Sequence, residues 1–339
     1  MNPLIKENQS LKSSNTFAID VNARYFAEIN SIADLRELLN STQIRTEALL
    51  IVGGGSNILF TKDFDGLVVK MNIQGIEVKE SGDDVFVSAG AGVKWHDLVL
   101  FCVKHDFAGI ENLSLIPGTV GASPIQNIGA YGVELKDVFY SCVAIDIATG
   151  DIRTFFYEDC GFGYRESVFK NEYKGKYIIT SVCYRLSKVP NLNIQYGAIA
   201  AELKAREILE PTIADISTVV SAIRVSKLPD PSTIGNAGSF FKNPVIDEAS
   251  FAPVHAAFPD VVHYPAGQGL VKLAAGWLIE ACGFKGMVSG NTGTWKNQAL
   301  VLVNHGGATG AEVYDFSETI IETVQAKFGI RLEREVNIL

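Results

Sequence analysis

The chain has 339 residues, of which 47% are apolar and 20% charged, and its formal net charge is −9. This balance is typical of a globular protein with enough chain for two or three domains. It argues against a nucleic-acid-binding protein, which would carry a basic stripe, and the longest apolar runs are too short to cross a membrane. Five scattered cysteines without a CxxC pair predict neither a disulfide framework nor a zinc site. Residues 1–14 lack the apolar core of a signal peptide, so a cytoplasmic location is expected.

The first half of the chain predicts short strands, hairpins and two helices after an N-terminal tail. Helices are predicted over 31–42 and 96–106, strands at 48–52, 66–71 and 177–186, and hairpins around "SGDD" (81–84) and "ATGD" (148–151). The first helix carries a capping box, Ser31 with Asp34. The tail is predicted to cover residues 1–15.

The second half of the chain differs from the first in its predicted secondary structure, because helical patterns dominate it. Helices are predicted near 198–208, 213–227, 271–282 and 309–328, and strands at 298–303 and 330–339. The helix over 309–328 has the clearest pattern, since Thr309 and Glu312 form a capping box ahead of a regular apolar face. The change in texture predicts a domain junction near 190–215, with a hairpin-rich α+β domain before it and a smaller domain after it.

Two glycine-rich segments are candidates for a phosphate or cofactor site. The first, "IVGGGSN" at 51–57, places three glycines after a predicted strand, and its serine and asparagine can add donors. Glycines let the backbone approach a phosphate, and successive free N–H groups bind anions. The segment matches neither the P-loop nor the Rossmann fingerprint. A strand followed by glycines is also the pattern of an ordinary tight turn.

The second segment, "SLIPGTVGASPIQNIGAYG" at 114–132, combines glycines and prolines with almost no charge. Its apolar elements look buried, and buried loop amides need partners. A long cofactor with a pyrophosphate would supply those partners and would explain two separate glycine clusters. The alternative is an elaborate structural loop, although structureless segments of this length inside a domain are usually functional.

Several polar residues could hold an anionic ligand, which the acidic chain as a whole would not attract. Arg165, in "CGFGYRES", has a guanidinium fork that suits a carboxylate, although a surface position is the common alternative. Arg224 and Lys227 lie at a predicted helix end, where they would also suit the helix dipole. Ser239, Lys242 and Asn243 follow in "AGSFFKNP" and could join Lys227 in one anion-binding wall.

The remaining titratable residues give weaker signals. Glu335 lies in an apolar terminal strand, where strand alternation places it on one face with Glu333 and Asn337. These side chains can equally face solvent. The five histidines have no metal-ligand spacing, so no metal site is predicted.

Seven motifs occur in one order across almost the whole chain and resemble one enzyme family. They are "GGGSN", "IPGTVGASPIQNIGAYGVE", "CGFGYRES", "SKLPDP", "GNAGSFFKNP", "KLAAGWLIEACGFKG" and "LEREV". Together they resemble the UDP-N-acetylenolpyruvoylglucosamine reductases, flavoenzymes of bacterial peptidoglycan precursor synthesis. "PIQNIGAYG", Tyr196 in "QYGAIAAEL" and the segment around 245–268 resemble the type I branch.

The resemblance implies an α+β fold in which an FAD-binding domain of the vanillyl-alcohol-oxidase (PCMH) type precedes a smaller α+β substrate-binding domain. The FAD-binding domain is expected over 16–190, with subdomains at 16–72 and 73–190. A connecting region is expected over 191–225 and the substrate-binding domain over 226–339.

The resemblance also implies roles for individual residues. FAD would be held by Gly53, Gly54, Gly55, Ser56, Asn57, Ile116, Pro117, Gly118, Gly121, Ala122, Ile125, Gly129 and Arg224. The UDP-sugar substrate would contact Tyr131, Tyr196, Lys227, Asn243 and Gln298. NADPH would reduce the FAD, and hydride would pass from flavin N5 to C3 of the enolpyruvyl ether. Ser239 would protonate C2, while Arg165 and Glu335 stabilise the enolate. No metal, nucleic acid, membrane or obligate protein partner is implied.

One corner of the chain departs from the family pattern. Arg334 stands where a proline usually precedes the glutamate, and Asn337 stands where a basic residue is expected. Two other interpretations stay open at this point. The chain could be another FAD oxidoreductase of the same fold, acting on a sugar or hydroxy acid, or a non-catalytic nucleotide-binding protein.

Overall fold

The computed structural model describes residues 4–339, and the contacts divide the chain into two compact units. The first unit consists of Met1–Gln9, Ala23–Gly54 and Phe64–Arg224, and the second of Ser10–Asn22, Gly55–Asp63 and Val225–Leu339. The predicted domain boundaries remain predictions, and they assign residues 16–22 and 55–63 differently. In the structure these two short segments group with the C-terminal part of the chain.

The helices and strands, in chain order, have the following bounds. The helices are α1 Ile32–Leu39, α2 Thr42–Thr46, α3 Trp95–Lys104, α4 Gly197–Ala205, α5 Ile213–Lys227, α6 Glu248–Ala257, α7 Ala275–Ala281 and α8 Gly310–Phe328. The strands are β1 Ile5–Ser10, β2 Asn22–Ile29, β3 Ala48–Val52, β4 Ile58–Leu59, β5 Phe64–Met71, β6 Ile76–Ser81, β7 Asp84–Gly90, β8 Gly129–Ala130, β9 Val133–Glu134, β10 Phe139–Asp146, β11 Ile152–Phe156, β12 Tyr177–Ser187, β13 Gly235–Ser239, β14 Val245–Asp247, β15 His263–Pro265, β16 Leu270–Leu273, β17 Val288–Ser289, β18 Thr292–Trp295, β19 Gln298–Asn304 and β20 Asn337–Ile338. Mixed helix and strand content in separate sheets confirms the predicted α+β class.

The first sheet of the first unit has the strand order β1-β2-β5-β3. Its central strand β5 pairs in parallel with β2 and β3, and its residues 66–69 are all buried. A continuous buried run of this kind is typical of a strand covered on both faces. Residues 5–10 were predicted to be part of a tail, but they form the edge strand β1. Strand β3 confirms the prediction at 48–52, and it leads directly into the three glycines.

The second sheet of the first unit has the order β11-β10-β12-β7-β6 and is antiparallel throughout. Both predicted hairpins are confirmed, with Gly82 and Gly150 in the left-handed backbone region at their turns. Helix α3 packs on this sheet through Trp95, whose ring meets Tyr184 edge-on at 5.6 Å. The Trp95 indole N–H also donates to the Leu113 carbonyl at 2.9 Å. Since Leu113 immediately precedes the second glycine-rich segment, this contact fixes where that segment begins.

The second unit is built on the sheet β13-β19-β18-β17, with β14-β16-β15 as a separate three-stranded sheet. Helix α8 begins with the predicted capping box, since Thr309 accepts from the Glu312 N–H, and it ends at Gly329 in the left-handed region. The prediction of a helix over 271–282 was wrong at its start, because Leu270–Leu273 form strand β16. These four residues pair with β14 and β15, and the helix begins at Ala275.

The C-terminal segment makes only part of the strand predicted over 330–339. Arg334 forms an isolated antiparallel bridge with Phe241, and β20 pairs in parallel with β4. Phe17, from the N-terminal segment of this unit, is fully buried and meets Phe240 edge-on at 6.1 Å. The segment after β13 is therefore packed from two distant parts of the sequence.

Candidate active site

The two glycine-rich segments of the first unit meet at Gly53 and Gly54. A β-carbon on Gly53 would lie 2.1 Å from the Thr119 hydroxyl oxygen, and one on Gly54 would lie 3.2 Å from the Gly118 α-carbon. Side chains at these positions would fill the space between the segments. The backbone of Gly54 is nevertheless exposed. The turn after β3 thus offers bare backbone to a ligand, as the sequence predicted for a cofactor site.

This cradle fits a dinucleotide such as FAD. The Thr119 hydroxyl is buried and has no hydrogen-bond partner among residues 4–339. Buried hydroxyls normally have a partner, so an unpaired one beside bare glycine backbone suits a ligand that brings an acceptor. Thr119 was missed by sequence reasoning because a single threonine carries no pattern.

The second glycine-rich segment is held in place by backbone bonds rather than by a regular element. Val120 N donates to Val93 O and Gly121 N to Ala91 O, both at 2.9 Å. The non-glycine residues Leu115, Asn127 and Tyr131 lie in the left-handed backbone region, with φ of 59°, 45° and 51°. Such conformations cost energy and concentrate at functional sites. The segment is an ordered structure, and its strain supports the functional interpretation over that of an ordinary loop.

The predicted FAD residues of this segment are spread along residues 116–129 and differ in their exposure. Ile116, Gly118, Gly121, Ile125 and Gly129 are partly buried, whereas Pro117 and Ala122 are exposed.

The backbone of Leu115 forms hydrogen bonds with the side chains of His96 and Arg224. Its N–H donates to His96 Nδ1 at 2.9 Å, and its carbonyl accepts from Arg224 Nε at 3.3 Å. Burial lowers the pKa of Arg224, with Tyr131 acting in the opposite direction. Arg224, predicted to bind the flavin, therefore lies beside the second glycine-rich segment.

We expect His96 to make the first unit less stable in mild acid. Burial lowers the pKa of its imidazole, Asp97 opposes that effect and Arg224 adds to it. Because the unfolded chain then binds more protons, stability falls as the pH drops below about 6.5. His96→Asn, which keeps an acceptor but cannot titrate, should flatten this part of a plot of unfolding free energy against pH. The exposed His105→Asn is the control, and equal slopes for wild type and His96→Asn would contradict the expectation.

Tyr131 and Tyr196, both predicted to bind substrate, lie together. Their rings meet edge-on with centroids 5.4 Å apart. Tyr196 is 47% exposed, whereas burial raises the pKa of Tyr131 and nearby Arg224 opposes that rise. The Tyr196 ring is therefore available to a ligand, and the Tyr131 ring packs against it.

Arg165 is held at the far end of the second glycine-rich segment. Its own backbone is left-handed, with φ of 58°, and its Nη2 donates to the Gly129 carbonyl at 2.9 Å. Lys170 Nζ donates to the Arg165 carbonyl at 3.1 Å. This strained turn sets the direction of the Arg165 guanidinium. The surface-residue alternative does not fit, because Arg165 is partly buried and bonded to a predicted FAD residue.

In the second unit, Ser239 ends strand β13 and is exposed, while Phe240 and Phe241 behind it are buried. The Glu335 N–H donates to the Phe240 carbonyl at 2.8 Å. The two phenylalanines therefore anchor the segment, and backbone pairing brings Glu335 next to the residue that follows Ser239. The predicted proton donor and the predicted glutamate are neighbours in one unit.

The Glu335 segment is also tied to the end of the first glycine-rich turn. Asn57 Nδ2 donates to the Glu335 carbonyl at 3.2 Å, and Asn337 Nδ2 donates to the Asn57 carbonyl at 2.9 Å. A β-carbon on Gly55 would lie 2.0 Å from the Ser14 carbonyl oxygen, so this glycine is required by close backbone packing. Asn337, which departs from the family pattern, here serves as an amide link.

Two predicted substrate residues of the second unit, Asn243 and Gln298, lie at the start of α7. The Asn243 side chain accepts from the Ala275 N–H at 3.0 Å, and Gln298 Oε1 lies beside Gly276. Asn297 Nδ2 donates to the Ser226 carbonyl at 2.9 Å, which ties the residue before Lys227 to the residue before Gln298.

Residues 4–339 contain no cluster of three or more metal-ligating side chains. Within the same described range, no helix has both the length and the apolar character that crossing a membrane requires.

Comparison with known proteins identifies both halves of the chain. Residues 23–155 match the "FAD binding domain" family, and residues 230–339 match "UDP-N-acetylenolpyruvoylglucosamine reductase, C-terminal domain". A UDP-N-acetylenolpyruvoylglucosamine reductase from Flavobacterium johnsoniae is 50% identical over 337 residues, which is 99% of each chain.

Solved structures share the fold. The UDP-N-acetylenolpyruvylglucosamine reductase of Thermus caldophilus aligns with a TM-score of 0.67 over 98% of this chain and 97% of its own, at 21% identity. The 4-ethylphenol oxidase of Gulosibacter chungangensis aligns with a TM-score of 0.54 over 96% and 84%, at 9% identity. The fold shared with these two structures, the FAD-binding family match over residues 23–155 and the 50% identity over 99% of the chain agree with one another. The chain belongs to the UDP-N-acetylenolpyruvoylglucosamine reductase family.

Proposed function

We propose that this protein is an NADPH-dependent flavoenzyme that converts UDP-N-acetyl-3-O-(1-carboxyvinyl)-glucosamine to UDP-N-acetylmuramate, a step of peptidoglycan precursor synthesis. The observation that carries the proposal is the backbone pairing of Glu335 with the residue after Ser239, in a chain of this family. The substrate is a small-molecule UDP-sugar. The cytoplasmic location remains the prediction made from the sequence.

FAD would lie against the first unit. Gly53 and Gly54 would present bare backbone to its pyrophosphate, and Thr119 would give its unpaired hydroxyl to the same region. Arg224, fixed to the Leu115 carbonyl, would support it with a charge that burial has already partly desolvated. The predicted set also includes Gly55, Ser56 and Asn57, together with Ile116, Pro117, Gly118, Gly121, Ala122, Ile125 and Gly129 of the second glycine-rich segment. When bound and reduced by NADPH, the flavin supplies hydride to C3 of the enolpyruvyl group.

Ser239 would give its hydroxyl proton to C2. A serine hydroxyl is a very weak acid, so it can act only on a strongly basic carbon placed within hydrogen-bond distance. The buried phenylalanines behind it hold that hydroxyl at an exposed and fixed place. Gly238, with φ of 69°, lets the chain turn its serine outward without strain.

Arg165 and Glu335 would stabilise the enolate that exists before protonation. Charge then lies between C2 and the substrate carboxylate, and a fixed guanidinium is well suited to it. Arg165 is held by Gly129 and Lys170, so little reorganisation is needed during the reaction. Glu335 would hold a shared proton close to the enolate.

The UDP portion would be bound by the two remaining groups of residues. Asn243 and Gln298 lie at the start of α7, where their amide groups suit a uracil ring, and Lys227 would supply an ammonium group to the diphosphate. Tyr196 offers an exposed ring, supported by Tyr131.

A spectrum of the purified protein tests the proposal directly. Under anaerobic conditions, the flavin absorbance should be bleached by NADPH and restored when the enolpyruvyl UDP-sugar is added. Restoration by oxygen but not by this substrate would indicate an oxidase of the same fold. A colourless protein that takes up no FAD would indicate a non-catalytic nucleotide-binding protein.

A further inference from the structure

The side chain of Arg334 is fixed by helix α8 at three points. Its Nε donates to Ser317 Oγ at 2.8 Å, its Nη2 pairs with the Glu318 carboxylate, and its guanidinium lies 4.4 Å from the centre of the Tyr314 ring. Only 17% of the side chain is exposed. Because the guanidinium contacts a hydroxyl, a carboxylate and a ring face at once, these three partners fix its orientation.

The backbone of Arg334 is fixed as well. Residue 334 bridges Phe241, Lys242 N donates to the Glu333 carbonyl at 2.9 Å, and Glu335 N donates to the Phe240 carbonyl at 2.8 Å. These bonds align residues 333–335 with the segment that follows Ser239. Because such a short ladder can slip, a side-chain anchor on one of its members sets the register.

We propose that Arg334 is a positioning residue that holds Glu335 in register with Ser239, by fastening the C-terminal segment to helix α8. The inference rests on the proposed function. Arg334 acts through its neighbour, and its charge is already matched by Glu318, which is 30% exposed. Its effect on the reaction is therefore geometric and does not require its charge to reach the substrate.

The test compares the two half-reactions of the FAD-loaded protein by anaerobic stopped-flow. In Arg334→Ala, FAD content and flavin reduction by NADPH should match wild type, while reoxidation at saturating enolpyruvyl UDP-sugar should slow by about 100-fold, the typical cost of a misplacement of about 1 Å. The solvent deuterium isotope effect on reoxidation should rise, because proton transfer becomes more rate-limiting. The substrate concentration for half-maximal rate should change much less than the maximal rate.

Three further variants separate position from charge and from stability. Arg334→Lys keeps the charge but cannot reproduce the fork, so it should recover only part of the rate. Ser317→Ala removes one anchor from α8 and should slow the same half-reaction to a smaller degree. Arg331→Ala is the matched control, because Arg331 also pairs with Glu318, at 3.4 Å, but is 63% exposed. It should behave as wild type.

Each outcome decides the matter. Wild-type reoxidation in Arg334→Ala, or full rescue by lysine, would overturn the positioning role, as would an equal loss in both half-reactions. If Arg334→Ala does not fold, Ser317→Ala and Arg334→Lys decide by the same comparison. A wild-type protein that NADPH bleaches but the enolpyruvyl UDP-sugar does not restore would overturn the proposed function, and this inference with it.

Discussion

Replacing Ser239 with alanine is expected to leave flavin reduction by NADPH nearly unchanged and to slow reoxidation by the enolpyruvyl UDP-sugar by about 10³- to 10⁴-fold, the upper range for loss of a general acid. The reason is chemical, since only the second half-reaction needs a proton at C2. Ser239 is exposed at the end of β13, so its removal leaves no buried cavity. Anaerobic stopped-flow absorbance measures the two half-reactions separately.

Ser232→Ala is the control for this measurement, because Ser232 is another exposed serine of the same unit, just ahead of β13. Its two half-reactions should match wild type. Equal losses in both half-reactions of Ser239→Ala would show that the serine shapes the site and donates no proton.

Gly54→Val should produce a folded protein that has lost most of its FAD. Its β-carbon would lie 3.2 Å from the Gly118 α-carbon, and its methyl groups would cover the exposed backbone of the cradle. Loss of one or two charge-assisted hydrogen bonds to the pyrophosphate, each worth about 1.5–3 kcal/mol, would weaken binding by at least about 10-fold and up to about 10⁴-fold. The flavin absorbance per protein after gel filtration, and a titration with added FAD, measure the effect.

Gly197→Val supplies the comparison, since a β-carbon at Gly197 would meet nothing within 4 Å and the same side chain is added. It should retain FAD as wild type does. A yellow, fully loaded Gly54→Val protein would contradict the assignment of the cradle.

The fold was most predictable where local chemistry dominates. The cap and apolar face of α8, the apolar run of β3 and the glycine turns of the hairpins each depend on nearby residues. Prediction failed where distant pairing decides. Leu270–Leu273 become a strand because β14 and β15 flank them, and residues 5–10 become a strand because β2 lies beside them.

The candidate site likewise has features that the sequence predicts and features that depend on distant contacts. The two glycine-rich segments could be predicted as candidates because their glycines lie close together in the sequence. Nothing in the sequence reveals the crowding of Gly53 against Thr119, or the buried hydroxyl left without a partner. Arg334 stood out only as a departure from the family motif. Its three partners on α8 lie 16 to 20 positions earlier, and no short motif connects them.

The interleaved composition of the two units bears on how the protein is made. The first unit is complete once Arg224 leaves the ribosome, but the second unit also draws on residues 10–22 and 55–63. Asn57 cannot accept its hydrogen bond from Asn337 until 280 further residues have been synthesised. At about 5–20 residues per second, that wait is on the order of 15–60 s. Phe17, which is fully buried in the folded unit, lacks its contact with Phe240 until that residue has been synthesised. The second unit can therefore form only after the C-terminal part of the chain has been synthesised.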